Sequence, residues 1–125
     1  MIGNETILFV DDEDYLAEVG REMLEDYGYT VDAATDPVAA LALFTQNPER
    51  YDLLISDYTM PGMKGNELVQ KIQKIRSGLP VILCSGTRLE TDELEGCRIS
   101  ELLLKPFDMD DLLATVRQVL DAPRG

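Results

Sequence analysis

The chain has 125 residues, 45% of them hydrophobic, a formal net charge of −13 and no histidine. That is one domain's worth of chain with enough apolar content for a core, and its acidity argues against nucleic acid and anionic membranes, which select lysine and arginine. The missing histidine excludes a Ser-His-Asp triad, a histidine general base and a histidine zinc site.

The opening "MIGNETILFV" has no basic region and no long apolar stretch, so it does not read as a signal peptide. The sequence holds no run of about 20 apolar residues and predicts no membrane span. Cys84 and Cys97 are not spaced as CxxC and read as reduced thiols of a cytoplasmic protein.

In chain order, "TILFV" (6–10) predicts a short strand ending in Asp11-Asp12-Glu13. A helix follows with Leu16, Val19, Met23 and Tyr27 on one face, and Gly28 stops it. "YTVDAA" is the second strand. In "TDPVAALALF", Asp36 caps a helix, Pro37 fits its first turn, and Val38, Leu41 and Phe44 or Thr45 form the expected buried stripe. "YDLLIS" is the third strand, and "GNELVQKIQKIR" a helix with Leu68, Ile72 and Ile75 facing in. "PVILCS" is the fourth strand, opened by Pro80. "RLETDELEGC" predicts a short acidic helix, and "ISELLL" the fifth strand. "DMDDLLATVRQVLD" is the last helix, capped by Asp108, with a stripe of Leu112, Leu113, Val116, Val119 and Leu120. "APRG" is expected to fray. Five strand–helix units in succession predict an α/β fold, a doubly wound parallel sheet covered by helices on both faces. It forms a single domain over residues 1–125, with a core from about residue 5 to about residue 121.

Ligands of such sheets bind beyond the carboxyl ends of the strands. There the sequence places Asp11, Asp12 and Glu13, then Ser56 and Asp57, then Ser85 and Gly86, then Lys105 and Pro106. Asp52 falls at the opposite end of its strand and reads as a solvated strand-start residue. Converging Asp11, Asp12 and Asp57 would repel one another unless a cation compensates. Oxygen ligands without histidine or cysteine select Mg²⁺, Mn²⁺ or Ca²⁺. With Lys105 as a fixed positive charge and Ser85 as a neutral donor, the set fits phosphoryl transfer to a carboxylate, with no general base needed. Each motif alone has a plainer reading: a helix cap, a turn serine, a surface lysine, a "MPGMKG" loop with Met60 and Met63 packed on the rim or meeting a partner. Their placement at one end of successive strands favours the site. Gly86 fits a need for open access to Asp57.

The pieces "ILFVDDE", "DLLISDYTMPGMKGNEL", "PVILCSG" and "LLLKPF" together resemble the receiver domain of two-component response regulators, over almost the full length. The resemblance implies a flavodoxin-like five-stranded sheet in the order 2-1-3-4-5. It implies Asp57 as the acceptor of a phosphoryl group from a histidine kinase or phosphotransfer domain. It also implies Mg²⁺ (or Mn²⁺) held directly by Asp12, Asp57 and the backbone carbonyl of Thr59, with Asp11 acting through water. Lys105 would pair with the phosphoryl group, Ser85 would hydrogen-bond to it, and the Lys105–Pro106 bond would be cis. Such a domain is a phosphoacceptor that assists its own phosphorylation and dephosphorylation, not an enzyme on other substrates.

Three departures stand out. Leu102 occupies the position of the family's switch aromatic. The segment between Ser85 and Lys105 is slightly short and crowded with acidic residues, at the family's usual output face. Thr59 and Thr87, at the positions that tune dephosphorylation, carry neither acid nor amide, which implies a moderately long-lived phosphoryl group. No effector domain follows the last helix, so the chain reads as a stand-alone receiver or as the receiver of a hybrid histidine kinase. Two other readings compete. One is a degenerate receiver that binds partners without phosphorylation. The other is a Mg²⁺-dependent aspartate phosphatase, disfavoured because Thr59, not an aspartate, lies two residues after Asp57.

Overall fold

The computed structural model describes residues 3–122. Five parallel strands form one sheet in the order β2-β1-β3-β4-β5. They are β1 (Thr6–Val10), β2 (Thr30–Ala34), β3 (Leu53–Asp57), β4 (Val81–Ser85) and β5 (Glu101–Leu104). The helices are α1 (Asp14–Asp26), α2 (Pro37–Gln46), α3 (Gly65–Ile75) and α4 (Met109–Asp121). This is the doubly wound, flavodoxin-like sheet expected from the sequence. Its central strands β1, β3 and β4 are the continuous apolar runs, because both of their faces are covered.

Side chains alternate across the pleat. Leu8, Val10, Leu54 and Leu83 pack with Phe44 of α2 and with Leu68 and Ile72 of α3. Ile7, Phe9, Leu53, Ile55 and Ile82 pack with Leu24 of α1 and with Leu112, Leu113 and Val116 of α4. Two capped helix starts follow the sequence closely. Asp36 Oδ1 accepts from the Ala39 N–H at 2.9 Å. Asp108 and Asp111 form a reciprocal capping box, with Asp108 Oδ1 accepting at 2.8 Å from the Asp111 N–H.

Several expectations need correcting. The buried face of α1 is Ala17, Gly20 and Leu24, while Leu16 is 40% exposed and Tyr27 lies past the helix end. The helix approaches the sheet through its small residues: a Cβ on Gly20 would lie 2.6 Å from the Phe9 ring. In α2 the buried stripe is Pro37, Ala40 and Phe44, and Val38 is 68% exposed. In α3, Val69 joins Leu68 and Ile72, while Ile75 at the helix end is 45% exposed. The acidic helix expected over 88–97 is a single 3-10 turn, η1 (Thr91–Leu94). Glu90, Asp92, Glu93 and Glu95 would stack like charges along an α-helix, and Gly96 turns the chain at φ +83°.

Asp52 is half-buried rather than solvated: its Oδ2 accepts from the Thr6 N–H at 2.9 Å, and its own N–H donates to the Thr6 carbonyl at 2.8 Å. It fixes the starts of β1 and β3 to each other. Met60 is buried in the core, and Met63 packs against it. Of the terminal "APRG", Pro123–Gly125 lies outside the described residues.

Candidate functional site

Strand register builds the site. Val10 lies opposite Ser56, so Asp11 and Asp57 fall side by side at the ends of β1 and β3. Asp12 follows Asp11 in the turn before α1. One carboxylate oxygen from each of Asp11, Asp12 and Asp57 lies within 4.8 Å of the others. On the far side Asp57 is paired with Cys84 of β4, and Ser85 pairs with Leu104 of β5. The Lys105 N–H extends that ladder to the Ser85 carbonyl at 2.8 Å. Lys105 then reaches back over the rim, its Nζ 2.6 Å from Asp57 Oδ1. The Lys105–Pro106 bond is cis.

Asp57 is only 6% exposed. Burial pushes its carboxyl up to about 6, against the pull of Lys105, and the charge of Asp11 adds to the push. Burial alone would lower the Lys105 ammonium, but Asp57 and Asp11 outweigh it and hold it above the usual lysine value. One lysine thus faces three carboxylates, and the site carries excess negative charge. A hard divalent cation is the ordinary remedy for such an oxygen set.

Ser85 is at the rim but engaged elsewhere. Its Oγ donates to the Thr87 carbonyl at 2.7 Å and accepts from the Thr87 N–H at 3.2 Å. Thr59 is exposed in the loop after β3, one residue beyond Tyr58. Gly86 is exposed, and a Cβ there would meet nothing within 4 Å.

The family model of the response regulator receiver domain matches residues 7–117. The chain belongs to this family. "Transcriptional regulatory protein RprY" of Bacteroides fragilis is 31% identical over 121 residues, 95% of this chain and 50% of that protein. The receiver domain spans about half the length of this and two other curated relatives that it matches. The non-phosphorylated HemR receiver domain from Leptospira biflexa superposes with a TM-score of 0.87 at 28% identity, covering 97% of this chain and 98% of that one. The receiver domain from the hybrid histidine kinase CckA gives a TM-score of 0.79 at 36% identity, covering 93% and 99%.

Within the receiver domain, Leu102 lies on β5 opposite Leu83 and packs half-buried against the α2–α3 side of the core. It has no polar atom with which to follow Ser85. The sequence reading missed two neighbours of the site. Cys84 packs beneath Asp57, its thiol pushed up to about 12 by burial and then by the Asp57 charge. Tyr58, next to Asp57, sends its hydroxyl to Glu93 Oε2 at 3.2 Å. Register could have found Cys84; nothing local to the sequence marks Glu93 as a partner of Tyr58. Both cysteines are free thiols. Among the described residues, no helix is long and apolar enough to cross a membrane.

Proposed function

We propose that this receiver domain accepts a phosphoryl group on Asp57 from a phosphohistidine of a partner kinase or phosphotransfer protein. The single observation that carries the reading is the Asp11–Asp12–Asp57 cluster closed by Lys105. These 125 residues contain no histidine, so the phosphohistidine belongs to another domain or another protein. An Asp57 carboxylate oxygen forms the new bond to phosphorus as the donor's N–P bond breaks, and the imidazole nitrogen leaves with the electron pair. Lys105 faces the equatorial oxygens, and Ser85 turns from Thr87 to donate to one of them. Asp12, Asp57 and the Thr59 carbonyl would hold Mg²⁺ directly, with Asp11 acting through water. A cation there supplies neutralisation of both the carboxylates and the incoming phosphoryl oxygens.

The helices of the donor have a seat. Leu16, Val19 and Met23 of α1, left off the core, face Phe107, Met109 and Leu112 across a groove of about 610 Å³ that also reaches Asp11 and Lys105. An apolar helix seated there brings its histidine to Asp57. The acidic chain favours a donor with basic residues around that helix.

Intact mass after incubation with acetyl phosphate and Mg²⁺ tests the reading. One phosphoryl group is expected, absent in Asp57→Asn and with a chelator. No gain in wild type, together with no binding of beryllofluoride, would leave a receiver that works as a phosphorylation-independent interaction module.

A further inference from the structure

Ser56 precedes Asp57 on β3 and is 0% exposed. Register sets it between Val10 of β1 and Leu83 of β4, on the α2–α3 side of the sheet. An aliphatic side chain would suit so apolar a wall, because a buried hydroxyl costs free energy unless it is bonded. The Ser56 hydroxyl is bonded: its Oγ donates to the Asp57 carbonyl at 2.9 Å.

That carbonyl depends on the bond. Asp57 is the last residue of β3. Just beyond it the Tyr58 N–H donates to the Cys84 carbonyl at 2.8 Å, and the Gly65 N–H donates to the Tyr58 carbonyl at 2.7 Å. Among the described residues, no backbone N–H of a turn or loop donates to the Asp57 carbonyl. Its oxygen instead faces the start of α3, where a Cβ on Gly65 would lie 2.3 Å away. The peptide that joins Asp57 to Tyr58 is therefore held between one hydroxyl and the start of one helix.

Side chains alternate across the pleat. The Asp57 carboxylate lies with Cys84 on the face of the sheet opposite to Ser56. Ser56 therefore acts on the site through the peptide that it holds, not by contact with the carboxylate. Rotation of that peptide would swing the carboxylate and carry the Thr59 carbonyl, two residues on, with it. Small displacements of reacting groups are costly in rate. We propose that Ser56 is a positioning residue for phosphoryl transfer: its hydroxyl fixes the peptide after Asp57, and so sets the Asp57 carboxylate and the Thr59 carbonyl about one cation. This rests on Asp57 accepting the phosphoryl group.

Threonine and valine have the same shape, and only threonine carries the hydroxyl. Comparison of Ser56→Thr with Ser56→Val therefore separates the hydrogen bond from packing. Titration calorimetry gives the Mg²⁺ dissociation constant, intact mass gives the rate of phosphoryl uptake from acetyl phosphate at saturating Mg²⁺, and urea unfolding registers folding separately. Relative to Ser56→Thr, Ser56→Val should bind Mg²⁺ about fivefold to tenfold more weakly, the worth of one hydrogen bond. Its uptake should be slower by about tenfold or more, even with the cation saturating. Ser56→Ala against wild type makes the same comparison without added bulk and should show the same two losses. Equal Mg²⁺ affinity and equal uptake in the valine and threonine variants would overturn the proposal alone, whatever their urea midpoints, as would a Ser56→Ala that loses only stability. A wild type that binds Mg²⁺ but gains no phosphoryl group would overturn the phosphoacceptor reading and the role of Ser56 with it.

Discussion

Lys105 and Asp57 make a 2.6 Å pair, yet burial, with the charge of Asp11 adding to it, still pushes the Asp57 carboxyl up to about 6. The site therefore has more to gain from a cation than one lysine can give. Magnesium at about ten times its dissociation constant should stabilise the domain by about 1.4 kcal/mol, which for a chain of this size raises Tm by about 5 °C. Asp12 is the most open of the three carboxylates. Asp12→Asn should leave the metal-free Tm unchanged or higher, since it removes a repelling charge, and should lose most of the magnesium shift. Thermal unfolding with and without Mg²⁺ checks both statements. An equal shift in wild type and variant would place the cation elsewhere.

Elements explain why the site was easier to read than the packing around it. Asp11, Asp57, Ser85 and Lys105 were legible because each ends a short apolar run, and parallel strands bring like ends together. The helix faces were not. The sequence pattern pointed to the largest apolar residues of α1, whereas a close helix–sheet approach uses Ala17 and Gly20. The displaced Leu16, Val19 and Met23 then line the groove instead. The course of the β4–β5 connection was illegible for a different reason: its Glu95 and Arg98 carbonyls accept from Gln70 and Gln73 of α3, 25 residues away, and local pattern carries no sign of such partners. Gly65, at the start of α3, ties helix to site. Its N–H donates to the Tyr58 carbonyl at 2.7 Å, and a Cβ there would lie 2.3 Å from the Asp57 carbonyl oxygen. Backbone cannot step aside as a side chain can. Gly65→Ala should cost about 2–3 kcal/mol in urea unfolding and slow phosphoryl uptake by moving the end of β3. Gly86→Ala, with open space around it, is the control and should be near neutral. A Gly65→Ala stability within about 0.5 kcal/mol of wild type would show that α3 can shift freely against β3.

At the scale of the molecule, the two ends of the fold are fastened by one guanidinium. Arg117 of α4 pairs with Glu5 at 2.8 Å and with Asp121 at 2.7 Å, and it donates to the Tyr29 hydroxyl at 3.2 Å. Arg117 holds the Glu5 carboxyl down to about 2, from a usual value of 4.5, although partial burial works the other way. A carboxyl depressed in the folded state contributes stability above its unfolded value and loses it as pH falls through the folded one. The tie is therefore complete above about pH 4.5 and fades between there and about pH 2. Wild-type stability alone would hide this, because acid also relieves the self-repulsion of a chain with net charge −13. Comparison with Glu5→Gln removes that shared term, since the variant differs by one charge. Its deficit should be about 1 kcal/mol near pH 7, as for a partly exposed charge-assisted pair. The deficit should shrink towards zero as the pH approaches 2, where the wild-type carboxyl is itself protonated. Urea midpoints across that range give the answer. A deficit that does not change with pH would mean that Glu5 acts by packing and neutral hydrogen bonds, and that the Arg117 charge is not what joins the two ends.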